Sequence, residues 1–189
     1  SSIASRFTAA AQAARTAEVA GALGRVRQAM ANAGYADNAY TIIVQTYSSP
    51  VPSASGVRYA ESGFTRQTVG GCGLWNRDFD WANSTVVPAM NNSLINGAAA
   101  SGVPNYVILN TTNALVGRRL CERTVGLLEE RGIATWQSPG AVDVTEWVHQ
   151  VRTASTIVGP YQLQEDGHPN YWGQLALRNC LRQAFNGGA

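Results

Sequence analysis

The stretch that indicates the fold class is T-I-I-V-Q-T-Y, residues 41–47. It is short and rich in β-branched residues, and its apolar positions do not alternate with polar ones. Such a run is typical of a strand that is buried on both faces, as strands are in parallel sheets. The sequence therefore predicts a parallel sheet with residues 41–47 as one of its inner strands.

The segments on either side of this strand complete an α/β pattern. Residues 3–33 are rich in alanine, and apolar residues recur there at helical spacing, with Gly34 as a stop. Residues 81–100 predict a second helix, which Asp80 caps and which Pro88 kinks or delays. Residues 106–110, Y-V-I-L-N, predict a second buried strand. The order helix, strand, helix, strand predicts a parallel pair joined by a right-handed crossover.

A long stretch rich in Ser, Gly and Pro, residues 48–80, separates the first strand from the second helix. Stretches of this length are usually functional or covalently tied, so it is either a wall of a substrate cleft or an ordered loop that a disulfide staples to the surface. We predict a disulfide between Cys72 and Cys121, in a secreted protein. Cys180 is then unpaired, or its partner lies outside this chain.

Composition excludes several classes of function. The chain has 189 residues, a length that suits one domain over residues 1–189. Its net charge of +2 is too small to indicate nucleic-acid binding. No run of 18 apolar residues predicts a transmembrane segment. The cysteine spacing does not indicate zinc. Glu146 and His149 lie at i, i+3 on a predicted short helix, where a solvated face is a more usual explanation than a metal site.

The last part of the chain, residues 161–185, joins a loop with one histidine to a strongly patterned helix. Pro169 suits the first helical position, which places His168 at about the N-cap. Glu165 and Asp166 precede His168, and either carboxylate is a candidate partner for one ring nitrogen, which would leave the other nitrogen as a base. The helix is predicted to bury one apolar stripe, formed by Leu177, Leu181 and Ala184 or Phe185.

The arrangement acid-x-x-His-Pro-Asn, near the end of the chain and opening its last helix, resembles the final block of the SGNH (GDSL-type) esterases and lipases. The resemblance implies a three-layer α/β/α, flavodoxin-like sandwich. It also implies a Ser-His-Asp triad in which His168 is the base. The acid position three residues before His168 holds Glu165, where the family has Asp, and Asp166 is one residue too close. No cofactor and no metal are implied.

The nucleophile block of that family, Gly-Asp-Ser, does not occur in this sequence. Ser48 directly follows the first strand, but no motif supports it as the nucleophile. The resemblance therefore implies that this chain supplies the C-terminal strands and helices of the domain, and that the nucleophile comes from outside the chain, for instance from a second chain. The expected function is a secreted hydrolase of a small-molecule or lipid ester, or the part of one that carries the general base.

Two alternatives follow from the missing nucleophile. The first is an inactive binding or interaction protein on a degenerate SGNH scaffold. The second is a non-enzymatic piece that completes another protein by docking the exposed edge of its strands.

Overall fold

A computed structural model describes residues 3–151 and 166–187, and these residues fall into two compact units. The first, which we call the sheet unit, comprises Ser1–Tyr47, Thr85–Thr112 and Cys180–Ala189. The second, the disulfide unit, comprises Ser48–Ser84 and Asn113–Asn179. The prediction of one domain over residues 1–189 stays a prediction.

The sheet unit contains the predicted α/β pattern. A 3₁₀ turn at Ile3–Phe7 leads into helix α1, Ala9–Asn32, whose N-cap is Thr8. Strand β1, Ile42–Gln45, pairs in parallel with strand β2, Tyr106–Leu109, in a sheet of two strands among the described residues. The α/β class and the parallel pair are confirmed. The three-layer sandwich stays a prediction.

The prediction that both strands are buried on both faces is wrong for the described part of the chain. Val44 and Leu109 are buried, but Ile42 and Ile43 are only half-buried and Gln45 is exposed. A non-alternating apolar run indicates that both faces of a strand are suited to burial, but other elements must pack on those faces to bury them. Within the described residues, few side chains pack on the two strands.

Helix α1 packs against helix α3, Val87–Ala100, and this contact depends on a glycine. A Cβ added at Gly97 would lie 2.6 Å from both Cβ and Cγ1 of Val19, which is closer than real atoms approach. Pro88 lies in the first turn of α3, where its missing N–H has no helical partner to lose. Pro88 is predicted to kink this helix or to delay its start, and a π-type segment, Ala82–Val86, directly precedes α3.

The helix predicted to begin after Asp80 begins earlier. Helix α2, Asn76–Trp81, contains Asp80, and a π-type segment, Ala82–Val86, connects it to α3. Asp78 caps α2, since its carboxylate accepts a hydrogen bond from the Trp75 N–H at 3.0 Å. The Asp80 carboxylate, the predicted cap of the helix, instead accepts a hydrogen bond from the Ala54 N–H at 2.8 Å. Ala54 is 26 residues earlier in the sequence, so Asp80 ties the helix to a distant segment.

The disulfide unit is organised around the predicted Cys72–Cys121 bridge, which is confirmed. Residues 48–80 are not a surface loop, because they supply half of a buried cluster that also includes both cysteines. The cluster consists of Val51, Val57, Cys72, Phe79, Leu115, Leu120, Cys121 and Val148. Regular structure is sparse in the described part of this unit, where α4 spans only Ala141–Val144.

The last helix, α5, spans Tyr171–Phe185, and the prediction that it buries an apolar stripe is wrong. Gly173 is its buried residue, Leu177 and Ala184 are half-buried, and Leu181 and Phe185 are 42% and 80% exposed. None of the described helices is long and apolar enough to cross a bilayer.

Candidate functional site

The backbone around His168 is held by a short antiparallel ladder. We call residues 166–170 the His168 loop and residues 146–149 the anchor segment. The N–H of His149 donates to the carbonyl of His168 at 2.8 Å, and the N–H of Gly167 donates to the carbonyl of His149 at 3.1 Å. Val148 and Pro169 form a bridge in the middle of this ladder. The loop is therefore fixed by backbone hydrogen bonds on both sides of the histidine.

The His168 ring is turned back onto its own loop. Its Nδ1 lies 3.1 Å from the backbone carbonyl oxygen of Asp166. Gly167 lies between the two residues at φ +72°, a left-handed conformation that glycine adopts without steric cost. This conformation belongs to the turn that brings the Asp166 carbonyl and the His168 ring together.

The hydrogen-bond partner of Nδ1, a carbonyl oxygen, determines which tautomer of the His168 ring is present. A carbonyl oxygen only accepts hydrogen bonds, so Nδ1 must carry the proton when this bond forms. In the neutral imidazole, Nε2 then holds a lone pair. Since His168 is exposed, an exposed ring with its Nε2 lone pair available has the chemistry of a general base.

The two candidate acid residues are placed differently. Glu165 lies outside the described residues, so its predicted contact with His168 stays a prediction. Asp166 lies within them, and it reaches the ring through its main-chain carbonyl. That contact orients the imidazole as an acid would, but it adds no full negative charge at Nδ1.

The helix start differs from the predicted one by two residues. Helix α5 begins at Tyr171, and Asn170 is its cap: the Asn170 side-chain oxygen accepts from the N–H groups of Trp172 at 3.1 Å and Gly173 at 3.3 Å. Pro169 is engaged in the bridge to Val148, and His168 lies two residues before the cap. Asparagine is among the best N-cap residues, which is the physical reason for this boundary.

The anchor segment is extended at Val148 and His149, so the prediction of a short helix there is wrong. Glu146 does not lie on a solvated face, because it is 1% exposed. Its Oε1 accepts from Arg58 Nη2 at 2.7 Å and from the N–H of Cys121 at 2.7 Å. Among the residues that the structure describes, no group of three or more His, Cys, Asp or Glu side chains is arranged to hold a metal ion.

Burial raises the pKa of the Glu146 carboxyl, although the nearby Arg58 guanidinium opposes this rise. The second oxygen, Oε2, is buried and makes no hydrogen bond with described residues. The Arg58 guanidinium also pairs with Glu130 at 3.1 Å, and the Tyr59 hydroxyl donates a hydrogen bond to Glu130. Burial is the main cause that raises the pKa of Tyr59 to about 12. The anchor segment therefore rests on a buried ionic network next to the disulfide.

The hydroxyls of Ser48, Ser49 and Ser101 are not hydrogen-bonded to His168 in the described part of the chain. The Ser49 hydroxyl bonds to Val51 O at 3.0 Å and to Asn83 at 2.9 Å, and the Ser101 hydroxyl donates to Ala98 O at 2.6 Å. The Ser48 hydroxyl is buried and makes no hydrogen bond with described residues. No serine hydroxyl is among the hydrogen-bond partners of His168 in residues 3–151 and 166–187.

Asn170, Glu146 and Arg58 are the residues of this site that sequence reasoning missed. A signal existed for Asn170, since asparagine directly before an aromatic and apolar helical run is a typical cap. Arg58 and Glu146 carry no such signal, because their pairing depends on the folding of distant segments. No protein-family model, no curated protein and no solved structure matches this chain.

Proposed function

We propose that this chain carries the general base of a secreted hydrolase of carboxylic esters. The observation that carries the proposal is the contact between His168 Nδ1 and the Asp166 carbonyl, which leaves Nε2 as the proton acceptor. The exposed ring on a backbone-fixed loop supports it, and so does the resemblance of the His-Pro-Asn block to SGNH esterases. The buried Cys72–Cys121 disulfide supports secretion.

In the proposed reaction, His168 Nε2 takes the proton of a serine hydroxyl while the serine oxygen attacks the ester carbonyl carbon. The protonated imidazole then gives its proton to the leaving alcohol as the carbon–oxygen bond of the ester breaks. Water hydrolyses the acyl-serine by the same route, with Nε2 again as the base. The serine is supplied from outside the site described above, and we propose that a second polypeptide contributes it.

The first prediction concerns His168→Gln, which preserves size and polarity but removes the base. We expect kcat/KM for p-nitrophenyl butyrate to fall by about 10²–10⁴-fold, because positioned general bases contribute on that order. The measurement uses the protein together with any polypeptide that copurifies with it. Arg178→Gln is the matched control, since Arg178 is an exposed residue of α5.

A fluorophosphonate probe, followed by peptide mapping, locates the serine in the same material. Intact mass before and after reduction shows whether a second polypeptide is present and whether a disulfide holds it. Ester hydrolysis that His168→Gln leaves unchanged would contradict the proposal.

A binding protein without catalytic activity is the second candidate. It is favoured by the absence of a serine hydroxyl among the partners of His168 in the described residues. Under this alternative, the protein has a single mass of one chain, no serine reacts with the fluorophosphonate, and no ester is turned over.

A further inference from the structure

We propose that Asn170 is a positioning residue that keeps the His168 ring in its Nδ1–H tautomer. The inference concerns the geometry of the loop and rests on the proposed function only for its catalytic meaning. Asn170 is 3% exposed, although asparagine is a polar residue that is rarely buried without a structural reason. Its side chain and its backbone N–H together make four hydrogen bonds with described residues, and its carbonyl accepts a fifth from the Gln174 N–H.

Two of these bonds are directed to the helix. The side-chain oxygen accepts from the N–H groups of Trp172 and Gly173, which have no partners within the helix. Gly173 leaves no space for a side chain, because an added Cβ would lie 2.4 Å from the Trp147 carbonyl oxygen. The first turn of α5 is therefore packed directly onto the anchor segment.

The other two bonds are directed to the anchor segment. The side-chain nitrogen of Asn170 donates to the carbonyl of Glu146 at 2.7 Å, and its backbone N–H donates to the carbonyl of Trp147 at 2.8 Å. These bonds continue the ladder that His149 makes with the His168 loop. One residue thus joins the helix start, the anchor segment and the loop.

A short side chain that carries both an acceptor and a donor is needed at this position, because the acceptor caps the helix N–H groups and the donor bonds to the Glu146 carbonyl. Aspartate keeps the acceptor for the helix, but it replaces the donor with an oxygen that repels the Glu146 carbonyl. Serine keeps a cap but is one atom too short to provide both contacts. The choice of asparagine is therefore explained by the tie to Glu146 in addition to the cap.

The tie has a consequence for the ring. The contact between Nδ1 and the Asp166 carbonyl depends on the backbone course of residues 166–168, which the ladder holds against His149. Without the Asn170–Glu146 bond, the end of the ladder nearest the helix is held only by the bond from the Asn170 backbone N–H to the Trp147 carbonyl. We expect the loop to loosen and the imidazole to shift toward the Nε2–H tautomer, which is the common one for a free ring.

The test is the ¹⁵N NMR spectrum of the His168 imidazole at a pH where the ring is neutral. We expect the Nδ1–H tautomer in the unmodified protein, and a decrease of about ten-fold in the ratio of Nδ1–H to Nε2–H in Asn170→Asp, on the order of one buried hydrogen bond. Asn179→Asp is the matched control, because Asn179 is an exposed asparagine of the same helix. Asn170→Ser is the second variant and is expected to change the ratio in the same direction.

The two proposals fail separately. A folded Asn170→Asp with an unchanged tautomer ratio overturns the positioning role, whatever happens to ester hydrolysis. A shifted ratio in a protein without ester hydrolysis supports the positioning role and contradicts the proposed function. If both variants unfold while Asn179→Asp does not, Asn170 is a structural residue and the positioning role is overturned.

Discussion

The sheet unit and the disulfide unit reach an ordered structure by different means. The sheet unit has long regular elements, yet none of the 24 residues of α1 is buried. The disulfide unit has short elements, yet Phe79, Leu115 and Val125 are at most 1% exposed. Regular backbone hydrogen bonding and burial are therefore separate properties, and α1 has the first without the second.

Side chains satisfy the backbone of the disulfide unit where helices and strands do not. Arg66 is 4% exposed and donates to the carbonyls of Tyr59 and Leu74. Asn83 donates to the carbonyls of Val51, Pro52 and Phe79. Because buried carbonyls without partners are costly, such contacts allow an irregular chain to be buried.

The largest expected effect comes from removing the disulfide in the Cys72→Ser, Cys121→Ser double variant. The cysteines are 49 residues apart in sequence, and closing a loop of that size stabilises a fold by about 4 kcal/mol. We expect amide hydrogen exchange to accelerate throughout the disulfide unit, while amides of α1 and α3 change much less. Equal acceleration in both units would show that they do not differ in what stabilises them. The matched control is Cys180→Ser, since Cys180 is free among the described cysteines.

An intermediate effect is expected from Gly97→Ala in the sheet unit. Overpacking costs about 1–3 kcal/mol, and alanine recovers about 1 kcal/mol of helix propensity, so we expect a net loss of up to about 2 kcal/mol of unfolding free energy. Adding Val19→Ala should recover part of this loss, because it removes Cγ1, one of the two Val19 side-chain atoms that the new Cβ meets. Gly24→Ala is the control and should be neutral or stabilising, since its nearest neighbour is 3.7 Å away. A loss in urea denaturation that Val19→Ala does not change would argue against this contact.

The smallest expected effect is a pair of opposite pH dependences. Burial raises the pKa of Glu146, so its contribution to stability is fully present below the unfolded value of 4.5 and is lost as pH rises through the folded pKa. The hydrogen bond from Arg27 lowers the pKa of Asp37, so its contribution is present above the unfolded value of 3.8 and is lost as pH falls.

Urea denaturation of Glu146→Gln and Asp37→Asn across pH 3–8 measures these two contributions relative to the unmodified protein. The free energy of unfolding of the unmodified protein minus that of Glu146→Gln should decrease toward high pH. The corresponding difference for Asp37→Asn should decrease toward low pH. Because the Arg27–Asp37 pair is exposed, its effect should weaken in 1 M salt. Parallel profiles for the two variants would contradict the assignment of a buried and an exposed carboxylate.

The sequence was sufficient to predict the features that depend on local composition. Residues 42–45 and 106–109 form strands because β-branched and aromatic residues favour that conformation, and Gly34 follows the end of α1 at φ +87°. The bridge between Cys72 and Cys121 was also predictable, since a glycine-rich stretch with a cysteine needs a covalent tie. The role of His168 as a base, by contrast, stays a prediction.

Other features depend on contacts between distant segments, and the sequence did not reveal them. The apolar spacing of Leu181 and Phe185 indicates a face suited to burial, but it does not indicate whether another element covers that face. Glu146 has the spacing of a surface residue, and only its pairing with Arg58 explains its burial. The helix begins after Asn170, whose side chain caps it and also has a distant partner, the Glu146 carbonyl.

The interleaving of the two units along the chain constrains the order in which the protein matures. Cys72 is synthesised 49 residues before Cys121, an interval of roughly 2–10 s at the usual rates of translation. During that time the Cys72 thiol has no Cys121 thiol with which to form the native bridge. Neither unit is a contiguous segment, so a nascent chain that stops before residue 113 contains neither unit in full. Maturation is therefore a late event, completed only when the histidine-bearing end of the chain has been made.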